Sequence, residues 1–295
     1  PKTQAFSPFT TTLGSTLISL HHSLLSALSS ERSSICFPHI LKCLTLLATT
    51  APYDKLGVDL LTDALQLLIT LIFQVQTDDM ISTRVAMLLC ASSIIGTQPS
   101  SQQMTKYLAE STAHIGRILA LAGDRREASQ VRTEAFRAIS STARYYFEAI
   151  PWTASAFAVL ENALNDYDSG IRIAALKTLN EATLGTATAQ QRVLVWRFLL
   201  GGKLPLLVDI GLHDRSSAVR ACAIEVISSR QADDCKALPE ITTTQLCRLL
   251  LIPALKDQVI PVRVASWSAL GSQSVALCPP YSSEDIKWIE DASTL

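Results

Sequence analysis

Apolar residues along this chain recur three and four positions apart, the spacing that lines one face of an α-helix. They fall into paired runs. Leu17, Leu20, Leu24 and Leu28 followed by Ile40, Leu44 and Leu47 predict a first pair of helices. Leu61, Leu65, Leu68 and Ile72 with Ile81, Val85 and Leu88 predict a second. Met104, Leu108, Ile115 and Ile118 with Val131, Ala135 and Ile139 predict a third. A fourth runs through 152–164 and 171–183. A fifth runs through 193–212 and 218–227, its first helix interrupted at Gly201, Gly202 and Pro205. The sixth runs through 246–255 and 262–275, with Pro253 kinking its first helix. Residues 283–292 read as the first helix of a further pair. No strand alternation competes with these patterns.

The pairs also share a sequence signature. An Asp stands six residues ahead of an Arg at Asp78 and Arg84, Asp166 and Arg172, Asp214 and Arg220, and Asp257 and Arg263. Arg132 is a looser member, preceded by Asp124. The Arg positions recur with a period of about 40–48 residues, which for a two-helix unit is the period of an α-solenoid. After each Arg come small residues, then a larger apolar one at the fourth position: Leu88, Phe136, Leu176, Ile224 and Trp267. Small residues let helices approach closely. The Asp falls between two helices, where its carboxylate can accept free N–H groups and meets the positive end of a helix dipole.

The units Leu164-Asn-Asp-Tyr-Asp-Ser-Gly-Ile-Arg172 and Leu255-Lys-Asp-Gln-Val-Ile-Pro-Val-Arg263 resemble HEAT-repeat turns entering their second helix. That resemblance implies an all-α, right-handed α-solenoid of about six antiparallel helix pairs. It also implies an Asp–Arg ladder between successive repeats, made by Asp78, Arg84, Arg132, Asp166, Arg172, Asp214, Arg220, Asp257 and Arg263. A charge repeated once per unit serves the stacking of the array, so these residues read as structural.

A second resemblance is to the HEAT repeat-containing protein 6 family. It rests on Phe6-Ser-Pro-Phe9, Ile40-Leu-Lys-Cys-Leu44 and Ala51-Pro-Tyr-Asp-Lys-Leu56, and further on Ala143-Arg-Tyr-Tyr-Phe147 and Val262-Arg-Val-Ala-Ser-Trp-Ser-Ala-Leu-Gly271. The family's opening domain has no known function, and the resemblance supplies no catalytic residues. It implies one continuous array over 1–295, with family-specific repeats in 1–148 and more regular ones in 149–295. With Pro1 in place of a starting Met, the chain is expected to be a fragment of something longer.

Composition narrows the function. The 295 residues are 48% hydrophobic and 17% charged, with mean hydropathy +0.27, which buried helix pairs explain. The most apolar stretch, 60–75, carries Thr62, Asp63, Gln66, Thr70 and Gln74, so it reads as a buried helix and not a membrane span. Net charge is −1 with no basic stripe, which argues against a nucleic-acid partner. Seven scattered cysteines in apolar helices point to a reducing intracellular compartment, cytoplasm or nucleus.

No nucleophile elbow, Walker A loop, dinucleotide fingerprint or His-Glu-x-x-His motif occurs. Cys36, His39 and Cys43 could share one helix face, but a fourth zinc ligand is lacking nearby. His21-His22 reads as helix surface and Ser7-Pro8 as an ordinary turn. Neither an enzyme, a metal site nor a cofactor is expected. The expected activity is that of a monomeric protein-interaction scaffold holding a partner segment on the concave face of the array. The alternative is a nucleic-acid-binding array. Second helices line that face in HEAT arrays, and the positions five, eight and nine after each Arg border the buried stripe. They nominate Arg137, Lys177, Asn180, Glu181 and Glu225 as exposed binding residues on one continuous side. Small residues at the eighth and ninth positions could equally serve helix packing.

Overall fold

The computed structural model describes residues 8–276 apart from 32, 34, 57–59, 75–79, 98–101, 202–204, 231–233, 235–245 and 252–253. Every regular element among them is helical, and their chain contacts divide into two compact units, Pro1–Pro151 and Trp152–Leu295. Among the described residues no helix is long and apolar enough to cross a membrane.

In the first unit α1 (Pro8–Ser30) and α2 (Cys36–Thr50) form one antiparallel pair. The short α3 (Tyr53–Leu56) leads into α4 (Leu60–Gln74), which pairs with α5 (Ile81–Thr97). α6 (Gln102–Glu110) and α7 (Thr112–Gly123) together precede α8 (Ser129–Tyr145), and Phe147–Ala149 forms a 3-10 turn. The second helices α2, α5 and α8 pack side by side as one layer. The second unit repeats this plan. α9 (Ala154–Leu164) pairs with α10 (Ser169–Leu184), while α11 (Ala189–Leu200) and α12 (Leu206–His213) precede α13 (Ser217–Ser228). A π-helical segment, Cys247–Leu251, precedes α14 (Ile260–Ala276), and α10, α13 and α14 form the second-helix layer. Two packed layers of helices repeating along the chain are the architecture of an α-solenoid.

The second-helix layer buries its predicted stripe except on α14, where Trp267 is 40% exposed. Leu88, Phe136, Leu176 and Ile224, each four residues after the repeat Arg, are fully buried. Local signals set the helix starts. The Asp168 side chain caps α10 by accepting the Gly170 N–H at 2.8 Å, and Thr188 with Gln191 closes a reciprocal capping box on α11. Gly211 brings α12 close to the π-helical segment, since a Cβ there would lie 2.7 Å from a Leu250 methyl.

Three expectations need correcting. The third pair's first helix is two helices, broken at Ser111, whose φ of −103° and ψ of 22° leave the helical region. The run Glu110-Ser111-Thr112 has weak helix propensity at the last two positions, so little opposes the break. His21 is not surface. It is fully buried, with Nδ1 2.8 Å from the Tyr53 hydroxyl and Nε2 2.9 Å from the Leu60 carbonyl. A carbonyl only accepts, so Nε2 carries the proton and Nδ1 accepts from Tyr53. Burial lowers the His21 pKa and pushes Tyr53 up to about 12, which keeps both groups neutral. Leu20 lies on the exposed side of α1, although the apolar spacing placed it in the core. The segment 283–292, Pro253 and Asp78, the acid six residues ahead of Arg84, lie outside the described residues.

Candidate protein-binding face and the ion-pair ladder

Each repeat Arg sits just inside the start of a second helix, and Arg132, Arg172, Arg220 and Arg263 donate back to a carbonyl ahead of that helix. In the second unit the geometry is regular. Arg172 donates from Nε to Asp214 Oδ2 and from Nη2 to Asp214 Oδ1, both at 2.7 Å. Its Nη1 donates to the Asp166 carbonyl at 2.7 Å. Arg220 repeats the pattern one unit on, with Asp257 at 2.7 and 2.9 Å and the Asp214 carbonyl at 2.7 Å. Arg263 donates to the Asp257 carbonyl at 2.7 Å. Asp214 and Asp257 therefore each serve two repeats. The carboxylate takes the Arg of the preceding repeat, and the backbone carbonyl takes the Arg of its own.

The carboxylates have a third task. Asp166, Asp214 and Asp257 each accept the N–H two residues on, from Asp168, Ser216 and Val259, which fixes the turn before the second helix. Hydrogen bonding to Arg220 lowers the pKa of Asp257 and raises that of Arg220, as a charge-assisted pair should. Arg215 donates to the Tyr167 carbonyl and adds a second tie between these two turns.

In the first unit the ladder changes hands. Arg84 forms a forked pair with Glu127 at 2.7 and 3.1 Å, and Arg132 donates to the Ala122 carbonyl at 3.0 Å. Asp124, the acid that the spacing offered ahead of Arg132, instead binds Arg126 at 2.8 Å, and that neighbour holds its carboxyl down to about 2. Glu127 was missed because it stands one position later than the repeat's Asp; its longer side chain spans the difference. A second missed cluster lies in the other unit. Arg192 donates to buried Asp234 at 2.8 Å and to the Ala187 carbonyl at 2.9 Å, and Trp196 donates to Asp234 at 3.1 Å. The available signal was distance along the chain, since Arg192 and Asp234 are 42 residues apart, as Arg172 and Asp214 are.

The candidate binding residues divide. Arg137 is exposed on α8 in the first unit, with its guanidinium 2.9 Å from Glu134. Lys177 on α10 and Glu225 on α13 are exposed in the second unit. Both flank Cys222, whose thiol is pushed to about 11 by burial and then by Glu225, with Lys177 pulling it back. Asn180 and Glu181 are half-buried, not exposed, because the eighth and ninth positions turn toward the next second helix. Contacts between such helices fall near these positions: Ser92 and Ser141 hydroxyls meet at 3.0 Å, and Thr183 and Ser229 at 3.3 Å. Packing accounts for the small residues there.

A narrower stripe is what the second helices leave in solvent. It falls two residues before the Arg, five after and twelve after. Gln130, Arg137 and Arg144 mark it on α8; Gly170, Lys177 and Leu184 on α10; Ala218 and Glu225 on α13. Cys36, His39 and Cys43 are also exposed, on α2, and no group of three or more potential metal ligands converges among the described residues.

Residues 1–104 match the model of a family described as a domain of unknown function, DUF4042. The solved structures similar to the chain include engineered proteins and designed armadillo repeat proteins. One engineered protein shares 19% identity at a TM-score of 0.58, covering 87% of this chain and 97% of its own. A designed armadillo repeat protein in complex with the peptide (KR)4 shares 18% at 0.55, covering 85% and 98%. A computationally designed armadillo repeat protein for modular peptide recognition shares 18% at 0.51, with the same coverage. At these identities the likeness establishes the fold, an armadillo-like helical repeat.

Proposed function

We propose that this chain is a non-catalytic scaffold that holds an extended or helical segment of a protein partner against its second helices. The observation that carries the reading is the exposed stripe on α10 and α13. There the ladder and the packing positions are buried or half-buried, while Lys177 and Glu225 are exposed to meet a ligand. A protein of similar fold, a designed armadillo repeat protein, has been solved with a peptide bound, which supports peptide holding by such a fold. Solenoids in general bind along the surface their stacked second helices create. The same reading would set the chain beside the HEAT repeat-containing protein 6 family, on the resemblance of blocks such as Ala51-Pro-Tyr-Asp-Lys-Leu56.

Charge sets the partner's chemistry. Lys177 and Glu225 sit on neighbouring second helices with opposite signs, so the partner segment carries an acid and then a base in matching order. The test is binding of a co-purified partner segment to wild type and to the double reversal Lys177→Glu with Glu225→Lys. Binding should weaken about tenfold or more while the melting temperature stays within about 1 °C. Unchanged affinity removes the stripe as the site. A salt-dependent shift with duplex DNA or RNA in place of a protein would favour nucleic-acid binding instead.

A further inference from the structure

We propose that the first unit carries a docking surface of its own, which takes an acidic, extended segment of a protein partner across α2, α5 and α8. These three second helices pack side by side within that unit. α2 lacks the repeat Arg, and Phe37 stands in its place. Phe37, Leu41, Leu44 and Leu47 are buried at the same steps as Arg84, Leu88, Ala91 and Ile94 on α5. That register puts Lys42, Leu89 and Arg137 at one position on neighbouring helices, five residues further on, and all three are exposed. Leu89, 40% exposed, thus lies in a row between two cations. Leu46, one turn beyond Lys42, is 62% exposed and adds apolar surface on α2.

Charge decides what such a row accepts. α2 and α5 contain no Asp or Glu, and α8 contains only Glu134, largely buried and turned onto Arg137 at 2.9 Å. Against that one acid the face exposes Lys42, Arg137 and, two turns along α8, Arg144. The excess is positive, whereas the second unit's stripe sets Lys177 beside Glu225. An acidic ligand complements it. Leu89 at the centre favours a protein segment over a nucleic acid, which binds through rows of cations and offers a leucine no apolar partner along its phosphates. Helices in contact lie about 8–10 Å apart, and a polyproline II segment rises about 3.1 Å per residue with about three residues per turn. Every third side chain therefore returns to the face at about the helix spacing. The fitting sequence is an acid, two residues, a large apolar residue, two residues and a second acid. This site rests on the reading above only for the premise that second helices bind, since Lys177 and Glu225 lie in the other unit.

Fluorescence anisotropy on the full chain with the labelled peptide Glu-Pro-Ala-Leu-Pro-Ala-Glu tests the proposal. The peptide should bind, and more weakly as salt rises. Replacing both of its acids by Lys, or its Leu by Ser, should weaken binding about fivefold or more. Lys42→Glu and Leu89→Gln in the protein should each have an effect of that size. Both positions are exposed and both substitutes are good helix formers, so the fold is kept. Lys177→Glu should leave the affinity unchanged, and an effect there equal to that of Lys42→Glu overturns the proposal. So does a peptide that fails to bind at any concentration, or one that Lys42→Glu leaves bound as before. Duplex DNA that binds more tightly than the peptide and is lost in Lys42→Glu assigns the face to nucleic acid and overturns it too. Each of these failures leaves the stripe on α10 and α13 to its own test with the co-purified segment.

Discussion

At the scale of single residues, Arg172 has the most to lose. Its side chain is 4% exposed and Asp214's is 9%, and one guanidinium joins the Asp214 carboxylate, the Asp166 carbonyl and the Tyr167 carbonyl at 3.1 Å. Arg172→Ala removes every one of these donors and strands a largely buried carboxylate. Breaking such a pair from one side costs about 3 kcal/mol, chiefly through the uncompensated charge. Arg220 and Asp257 are more exposed, at 14% and 12%, and water screens the abandoned acid better. Arg220→Ala should therefore cost less, about 1–2 kcal/mol. Urea unfolding of both variants checks the order as well as the size, and two wild-type midpoints would remove the ladder's energetic role. The participating arginines were legible from their period alone. Their partners were less so, because the acid comes from the following repeat and its register depends on turn length. Where the turn carries Glu127 in place of the usual Asp, the six-residue rule lands on Arg126, and the acid before it, Asp124, is already engaged by that arginine.

Among elements, α1 shows how a buried polar group can anchor a helix whose apolar face is thin. Its deep contacts are Leu28 and His21, and His21 reaches α3 through Tyr53 and the start of α4 through the Leu60 carbonyl. Burial lowers the imidazole pKa below its ordinary 6.5; His22 lowers it further, and the Leu60 bond and Asp63 oppose the shift. The sign follows directly. Once pH falls below about 6.5, the unfolded chain takes up a proton at this site that the folded chain resists. Stability is thus full at neutral pH and declines on acidification, until the lowered folded-state value is passed. His21→Gln keeps a donor for Leu60 and an acceptor for Tyr53 without a titrating group. Its melting temperature should fall less than wild type's between pH 7 and pH 5, and equal falls would free His21 of the effect. Sequence pattern could not place this helix's buried face. Leucines at positions 17, 20, 24 and 28 suggested one stripe, whereas the packing surface is rotated to take in His21 and release Leu20. Second helices were easier, since Leu88, Phe136, Leu176 and Ile224 fall in the same phase relative to their Arg. First helices lack that marker, and the break at Ser111 passed unnoticed in a run that keeps apolar spacing on both sides.

For the molecule as a whole, stability in a stacked array comes from each repeat and its nearest neighbours. That locality is written into the ladder, where Asp257 serves Arg220 and Arg263 but no residue of the first unit. Deleting residues 240–295 removes α14, which packs on α13, and the π-helical segment, which packs on α12. It also takes the carboxylate from Arg220 and uncovers Ile224, fully buried in the intact chain. None of those losses touches the core of Pro1–Pro151, built from Leu44, Leu65, Leu88 and Phe136 among others. The shortened chain should therefore keep a helical far-UV circular dichroism spectrum while melting at a lower temperature. Its first unit should keep wild-type hydrogen-exchange protection, and α13 should lose most. Complete unfolding would mean that one cooperative core spans the chain, and that the repeats do not fold by leaning on their neighbours.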